Sequence, residues 1–235
     1  MGITKRLIAV TLAVFAAASM VMGQSSSGEK SVEQSYLQDA VERMIIQEQS
    51  RADSRDMKLV ALEYIGEAID RGNAGPEIQN ALDYLALEGI LYKTREGGRV
   101  AHNYPEIRTK AAAYLGGLGT VEAKNTLVKI VMADPEPMVL TEAVKSLAKI
   151  GINENDETIN TISWVVTRFD VLHPDNLLAL SALEAYEVLS ANGGIKDGNT
   201  IKTIMRIADN ASYIRPVQDR AKALLVKLRN GGSGK

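Results

Sequence analysis

The sequence contains no cysteine and is poor in histidine and aromatic residues. The absence of cysteine excludes disulfide bonds, thiolate catalysis and a lipid-modified N-terminal cysteine. Only two histidines are present, His102 and His173, and neither stands in a spacing that puts two metal ligands on one helix face. Aromatic residues make up 5% of the chain, whereas small and aliphatic residues are abundant. This composition favours closely packed helices over a β-sandwich.

The sequence motifs of common enzyme classes are also missing. There is no GxSxG nucleophile elbow and no GxxxxGK(S/T) phosphate loop. Gly97-Gly98 indicates a turn, because two glycines alone do not make a phosphate cradle. We therefore expect no catalytic site, no cofactor and no metal, and the sequence predicts a protein that is not an enzyme. An enzyme of unknown type is the least favoured alternative.

The N-terminal segment has the pattern of a secretory signal peptide. Lys5 and Arg6 precede a charge-free run over residues 7–21, and a small residue, Gly23, follows. The apolar run is short for a membrane span, which needs about 20 residues. We expect a signal peptide over 1–23, a flexible linker over 24–30 and a periplasmic protein. The alternatives are an uncleaved N-terminal membrane anchor and a secreted protein.

The charge balance argues against a nucleic-acid partner. Removal of Lys5 and Arg6 from the 27 basic residues leaves 25 against 29 acidic ones, a net charge of −4. Nucleic-acid binding favours dense patches of lysine and arginine, which a mildly acidic chain does not supply. The expected partner is therefore another protein.

A helical pattern recurs along the chain, with alanine followed by larger apolar residues four and seven positions later. The matches are Ala61-Ile65-Ala68, Ala111-Leu115-Leu118, Ala143-Leu147-Ile150, Ala182-Tyr186-Leu189 and Ala221-Leu225-Leu228. The alanines are about 50, 32, 39 and 39 residues apart, and helix-pair repeats have periods of about 30 to 47. A short helix pair cannot bury its apolar face alone, so such pairs stack on one another. An irregular helical bundle is the alternative.

Two of these units, over residues 105–131 and 134–151, resemble HEAT repeats of the short bacterial type, also called PBS-lyase HEAT-like repeats. The resemblance implies an all-α, armadillo-like fold over residues 31–229. That fold is a right-handed α-solenoid of about four to five helix pairs, with a concave face that holds another macromolecule. HEAT-like enzymes with a di-iron centre carry His-Glu pairs, and this chain has none. The resemblance thus favours a scaffold that binds another protein.

Local patterns predict several boundaries within this architecture. Ser31 begins an N-terminal capping helix, which buries an apolar stripe of Val32, Tyr36, Leu37, Ala40, Val41, Met44 and Ile45. Asp134-Pro135 and His173-Pro174 each open a helix. Trp164 and Phe169 are expected in the core. Residues 230–235 form a disordered tail.

The segment over residues 89–104 interrupts the repeat and is the candidate binding site. It is long for a connection, and its composition predicts an irregular loop or a hairpin that turns at Gly97-Gly98. It carries a positive patch on an acidic protein, which favours contact with an acidic partner. The candidate residues are Lys93, Arg95, Arg99, His102, Tyr104 and Arg108. Two alternatives stay open: the loop is a spacer that covers the seam between two units, or the protein self-associates end to end as a structural protein.

Overall fold

A computed structural model describes residues 32–191, 195 and 197–232. The predicted signal peptide, the predicted linker and the capping residue Ser31 lie outside the described residues. The chain divides into one unit of residues 1–40 and a second of residues 41–235. The described residues of the first unit, 32–40, are helical.

The described residues form ten α-helices and one short β-hairpin, so the predicted all-α class is confirmed. The helices and strands are α1 (Val32–Ser50), α2 (Arg55–Asp70), α3 (Pro76–Leu87), β1 (Thr94–Glu96), β2 (Arg99–Ala101), α4 (Pro105–Leu118), α5 (Val121–Ala133), α6 (Pro137–Ile150), α7 (Glu157–Leu172), α8 (Asn176–Ser190), α9 (Gly198–Asp209) and α10 (Arg215–Gly232).

Proline and glycine account for many of the helix ends. Pro76, Pro105 and Pro137 occupy the first turns of α3, α4 and α6, where the missing backbone N–H leaves no hydrogen bond unmade. Gly119 and Gly151 end α4 and α6 with φ of +70° and +74°, a left-handed conformation that costs glycine little.

The helices of the second unit contact each other in two rows. In the first row α2, α4, α6, α8 and α10 pack in that order, each against the next. In the second row α3, α5, α7 and α9 do the same. Contacts between consecutive helices, such as α4 with α5 and α5 with α6, join the two rows. The core therefore lies between and along the rows.

The recurring alanines occupy the centre of the first row. The five repeat alanines, at positions 61, 111, 143, 182 and 221, are completely buried. Leu115, Leu147 and Tyr186, four residues after their alanines, are also completely buried. The last match is shifted by one residue, because Leu224 is buried at 3% exposure and Leu225 is only half-buried. The alanine pattern thus predicted the buried face of the first four helices of this row, and for the fifth helix it was wrong by one residue.

Two glycines bring helices of the first row close together. A Cβ atom on Gly66 of α2 would lie 2.5 Å from the Tyr114 hydroxyl oxygen of α4. A Cβ on Gly116 of α4 would lie 2.5 Å from Ser146 Oγ and 2.9 Å from Ser146 Cα of α6. Gly116, in the interior of α4, therefore allows α4 and α6 to pack closely. The turn that follows α4 depends on Gly119.

The predicted burial of the apolar stripe on α1 is wrong for most of its residues. Tyr36 and Leu37 of the first unit are 69% and 64% exposed, and Val41 and Met44 of the second are 54% and 64% exposed. The residues of α1 that are buried in the second unit are Glu42, Ile46 and Ser50, four residues apart. Arg71 of α2 forms an ion pair with Glu42. This ion pair explains why the face of α1 that carries Glu42 is buried, although it contains a carboxylate.

Three predicted boundaries differ from those in the structure. Asp134 ends α5 and α6 begins at Pro137, because the Asp134 carboxylate is buried in an ion pair. His173 ends α7, and α8 begins after Asp175, whose side chain accepts a hydrogen bond from the Leu178 backbone N–H. Helix α10 continues to Gly232, so residues 230–232 of the predicted tail are helical.

Candidate functional site

The segment between α3 and α4 forms a hairpin, one of the two forms that the sequence allowed. Strands β1 and β2 pair antiparallel, with Arg95 opposite Val100. The turn is Gly97-Gly98, whose φ angles of +56° and +82° lie in the left-handed region that favours glycine. The hairpin therefore projects its arginines from a tight turn.

Close backbone packing holds the two ends of this segment together. Gly89 has a φ of +82°, and a Cβ at this position would lie 2.9 Å from the Cα of Asn103. The Asn103 side-chain oxygen accepts a hydrogen bond from the Arg108 guanidinium at 2.7 Å. The base of the hairpin is thus fixed to α4.

Arg108 is a structural residue and leaves the candidate set of partner-binding residues. Its side chain is 1% exposed, and that of its partner Asp134 is fully buried. Arg108 Nε donates to Asp134 Oδ2 at 2.6 Å, and Nη2 lies 3.3 Å from Oδ1. This two-point ion pair joins α4 to the end of α5. Its guanidinium cannot reach a partner at the surface.

His102 and Tyr104 also contact the protein itself more than the solvent. The His102 side chain is 13% exposed, and its Nδ1 lies 3.1 Å from the Asp53 carbonyl oxygen. The Tyr104 ring packs edge-on against the imidazole at 6.3 Å and is partly buried against the core. These two residues support the base of the hairpin and offer little surface to a partner.

Lys93, Arg95 and Arg99 are exposed and carry the positive charge of the segment. No ion pair joins any of the three to a side chain that the structure describes. Leu91 and Tyr92 beside them are 49% and 50% exposed. We call these five residues the hairpin surface. Leu91 and Tyr92 were not among the candidate residues that the sequence suggested.

The Tyr92 ring stacks on a neighbouring aromatic ring, which in turn contacts two cationic side chains. It stacks on Tyr84 of α3 with the ring centroids 6.0 Å apart and an interplanar angle of 12°. The Arg51 guanidinium lies 5.3 Å from the centroid of the Tyr84 ring, and Lys58 Nζ lies 5.2 Å from it. Such contacts order an exposed tyrosine before a partner arrives, which lowers the entropic cost of binding.

A second candidate site, which the sequence did not predict, lies between α7 and α9. Trp164 is 42% exposed, which overturns its predicted place in the core, and Phe169 is only partly buried. Trp164 lines a cavity of about 590 Å³ together with Asn160, Thr167, Arg168 and other polar residues. Four-residue spacing along α7 puts Asn160, Trp164 and Arg168 on one face of the helix.

The buried hydroxyl groups nearby form a closed network. Ser163 Oγ donates to the Ile159 carbonyl oxygen and lies 3.0 Å from both the Tyr186 hydroxyl and Thr200 Oγ1. Burial raises the pKa of the Tyr186 phenol well above its usual range. Among the described residues, the hydrogen-bond partners of Ser163 Oγ are two hydroxyl groups and a backbone carbonyl, and neither histidine is one of them.

The described residues offer no cluster for a bound ion. Among them, no three His, Cys, Asp or Glu side chains are grouped so that they could hold a metal. Of the described helices, none has the length and apolar character that a membrane span requires.

Comparison of the chain with family models, curated proteins and solved structures finds no match.

Proposed function

We propose that the chain is a non-enzymatic, exported HEAT-repeat scaffold, which binds an acidic protein of the cell envelope through the hairpin surface. Export and a periplasmic location rest on the signal-peptide pattern of residues 1–23. The binding role rests on the hairpin surface.

The two rows of helices support the proposed solenoid. A right-handed α-solenoid of about four to five pairs places the first helices of successive pairs against each other and the second helices likewise. The order of contacts, α2 to α10 in one row and α3 to α9 in the other, fits that arrangement. The buried alanine in every helix of the first row supplies the repeated small side chain that close stacking needs.

One observation carries the binding proposal: Arg95 and Arg99 are exposed on a fixed hairpin without an ion-pair partner in the described chain. Arginine and tyrosine are, with tryptophan, the residues enriched among those that dominate binding at protein interfaces. A local positive patch on an acidic chain also speeds encounter with a negative surface.

The test is a double charge reversal, Arg95→Glu with Arg99→Glu, in the tagged mature chain. We expect the variant to keep its helical circular dichroism and to lose the acidic protein that the unmodified chain captures from native envelope extract. The captured protein should also dissociate as ionic strength rises, because salt screens exposed charges over about 8 Å at physiological concentration.

A second double reversal, Lys129→Glu with Lys145→Glu, provides the matched control. Both lysines are exposed on α5 and α6, and neither forms an ion pair among the described side chains. The control changes the net charge by the same amount at a different place. If both double variants, or neither of them, lose the captured protein, the hairpin is not the binding surface.

Self-association is the second candidate function, and the exposure of Val41 and Met44 on α1 favours it. Apolar surface at the end of a repeat array can bind another copy of the chain. Light scattering of the mature chain separates the two functions: a concentration-dependent mass that falls to the monomer in Val41→Ser with Met44→Ser favours self-assembly.

A further inference from the structure

The cavity between α7 and α9 combines one large aromatic ring with polar groups on opposite walls. Asn160, Trp164, Thr167 and Arg168 lie on the α7 side, whereas Asp197 and Thr203 lie on the α9 side. Its volume of about 590 Å³ falls in the usual range of ligand sites, about 300 to 1,000 Å³. Such a combination of aromatic and polar walls suits a ligand that packs one apolar face on the aromatic ring and forms hydrogen bonds along its edge.

Trp164 presents an ordered aromatic surface to this cavity. Its side chain is 42% exposed, although burial of a tryptophan is strongly favourable. The Arg168 guanidinium, one turn later, lies 5.5 Å from the centroid of the indole and 5.9 Å from that of Phe169. These contacts restrict the rotamers of Trp164 and Arg168 before a ligand binds.

Asn160 lines the cavity and carries a buried polar atom without a partner among the described groups. Its side-chain oxygen Oδ1 is buried, yet it accepts no hydrogen bond from any group that the structure describes. A buried acceptor without a donor costs about 1–3 kcal/mol, so such atoms are rare in folded proteins. Rotation of the Asn160 amide would turn Oδ1 from its buried position toward the cavity, where a ligand hydroxyl or N–H group would remove that cost.

Among the described side chains that line the cavity, one positive and one negative charge balance each other. Arg168 carries a positive charge and forms no ion pair with a described side chain. Asp197 carries a negative charge, and its carboxylate accepts a hydrogen bond from the Asn199 backbone N–H at 2.9 Å. A phosphorylated ligand would meet Asp197 as well as Arg168. The balance therefore favours a neutral polar ligand.

We propose that this cavity binds a neutral sugar ring of a glycan. The C–H face of a pyranose packs on the Trp164 indole, and a ring hydroxyl donates to Asn160 Oδ1 once the amide has rotated toward the cavity. The Arg168 guanidinium and the hydroxyl groups of Thr167 and Thr203 bind further hydroxyls at the ring edge. This site lies apart in sequence from the hairpin surface and is independent of the function proposed for it.

Trp164 makes the site directly measurable, because it is the only tryptophan in the chain. Fluorescence excited at a wavelength that selects tryptophan therefore reports on this cavity alone. The full mature chain is titrated separately with maltotriose, cellotriose and triacetylchitotriose, with hexaglycine as the competing peptide probe. We expect a saturable change in emission with at least one sugar and a weaker response or none with hexaglycine.

Two variants connect the signal to the cavity. Asn160→Ala removes the unpaired acceptor, and we expect it to weaken sugar binding about tenfold, the loss of one hydrogen bond. Asn125→Ala, at an exposed position on α5, is the matched control and should bind as the unmodified chain does. Circular dichroism checks that both variants are folded. Isothermal calorimetry measures sugar binding without relying on fluorescence.

Three results would overturn the assignment. The first is the absence of saturable binding to all three sugars by both fluorescence and calorimetry. The second is an equal response of the unmodified chain and Asn160→Ala. The third is tighter binding of hexaglycine than of any sugar, which would make the cavity a peptide site.

Discussion

Gly116 and Gly117 are neighbours in α4, and alanine at the two positions should change stability in opposite directions. Alanine in place of a helical glycine stabilises by about 0.5–1 kcal/mol, and this gain is common to both substitutions. At Gly117 the nearest atom to a new Cβ is Lys149 Nζ at 3.9 Å, so the methyl group has room. At Gly116 it would lie 2.5 Å from Ser146 Oγ and 2.9 Å from Ser146 Cα.

The contact at Gly116 involves the backbone of α6, so a side-chain rotation cannot relieve it. Alanine there should separate α4 from α6, at an overpacking cost of about 1–3 kcal/mol. Both variants gain the same helix propensity, so this gain cancels when they are compared with each other. The free energy of unfolding of Gly116→Ala should therefore be about 1–3 kcal/mol lower than that of Gly117→Ala. Urea unfolding followed by circular dichroism measures this difference.

A third variant separates the clash from other causes. Adding Ser146→Gly to Gly116→Ala removes the Ser146 Oγ and Cβ atoms but leaves its Cα in place. We therefore expect this double variant to recover part of the difference. Equal stability of Gly116→Ala and Gly117→Ala would refute the close approach of α4 and α6, and with it the packing of the first row.

Three further predictions concern the core, the alkaline limit of stability and export. Leu115→Ala and Leu147→Ala should each lower the free energy of unfolding by about 2–5 kcal/mol, because both side chains are completely buried; a loss below about 0.5 kcal/mol, typical of surface sites, would contradict their place in the core. Stability should fall as pH rises above about 10, because the unfolded phenol of Tyr186 then loses a proton that the buried phenol retains, its pKa being raised by burial. The fall should be smaller in Tyr186→Phe, and an identical pH profile would show that Tyr186 does not titrate in this way. Mass spectrometry of the protein from its native envelope should find a chain that starts near Gln24, whereas an intact Met1 would indicate an anchored protein.

Local periodicity was enough to predict most of the core. The alanine at the centre of each first-row helix and the larger residue four positions later share a helix face, and any partner helix buries that face. The same reasoning located the hairpin turn at Gly97-Gly98, because left-handed conformations favour glycine. These features depend on residues close together in the sequence.

The main errors about burial involve partners distant in sequence. Arg108 looked like a surface charge, but Asp134 lies 26 residues away and neutralises it inside the protein. Glu42 looked like the solvent side of α1, but Arg71, 29 residues later, pairs with it and leaves the apolar stripe exposed. Trp164 looked like a core residue, and its exposure depends on how α9 lies beside α7. No local pattern contains these pairings.

The most direct test of the proposed function places a photocrosslinking benzoylphenylalanine in the hairpin surface of the protein in its native cells. The crosslinker replaces Lys93 in one variant and Lys145, an exposed residue of α6, in the control. We predict a covalent adduct with an acidic envelope protein from position 93 only, and its loss when Arg95→Glu and Arg99→Glu are added. No adduct from position 93, an equal adduct from position 145, or an adduct that survives the charge reversal would contradict binding through the hairpin surface.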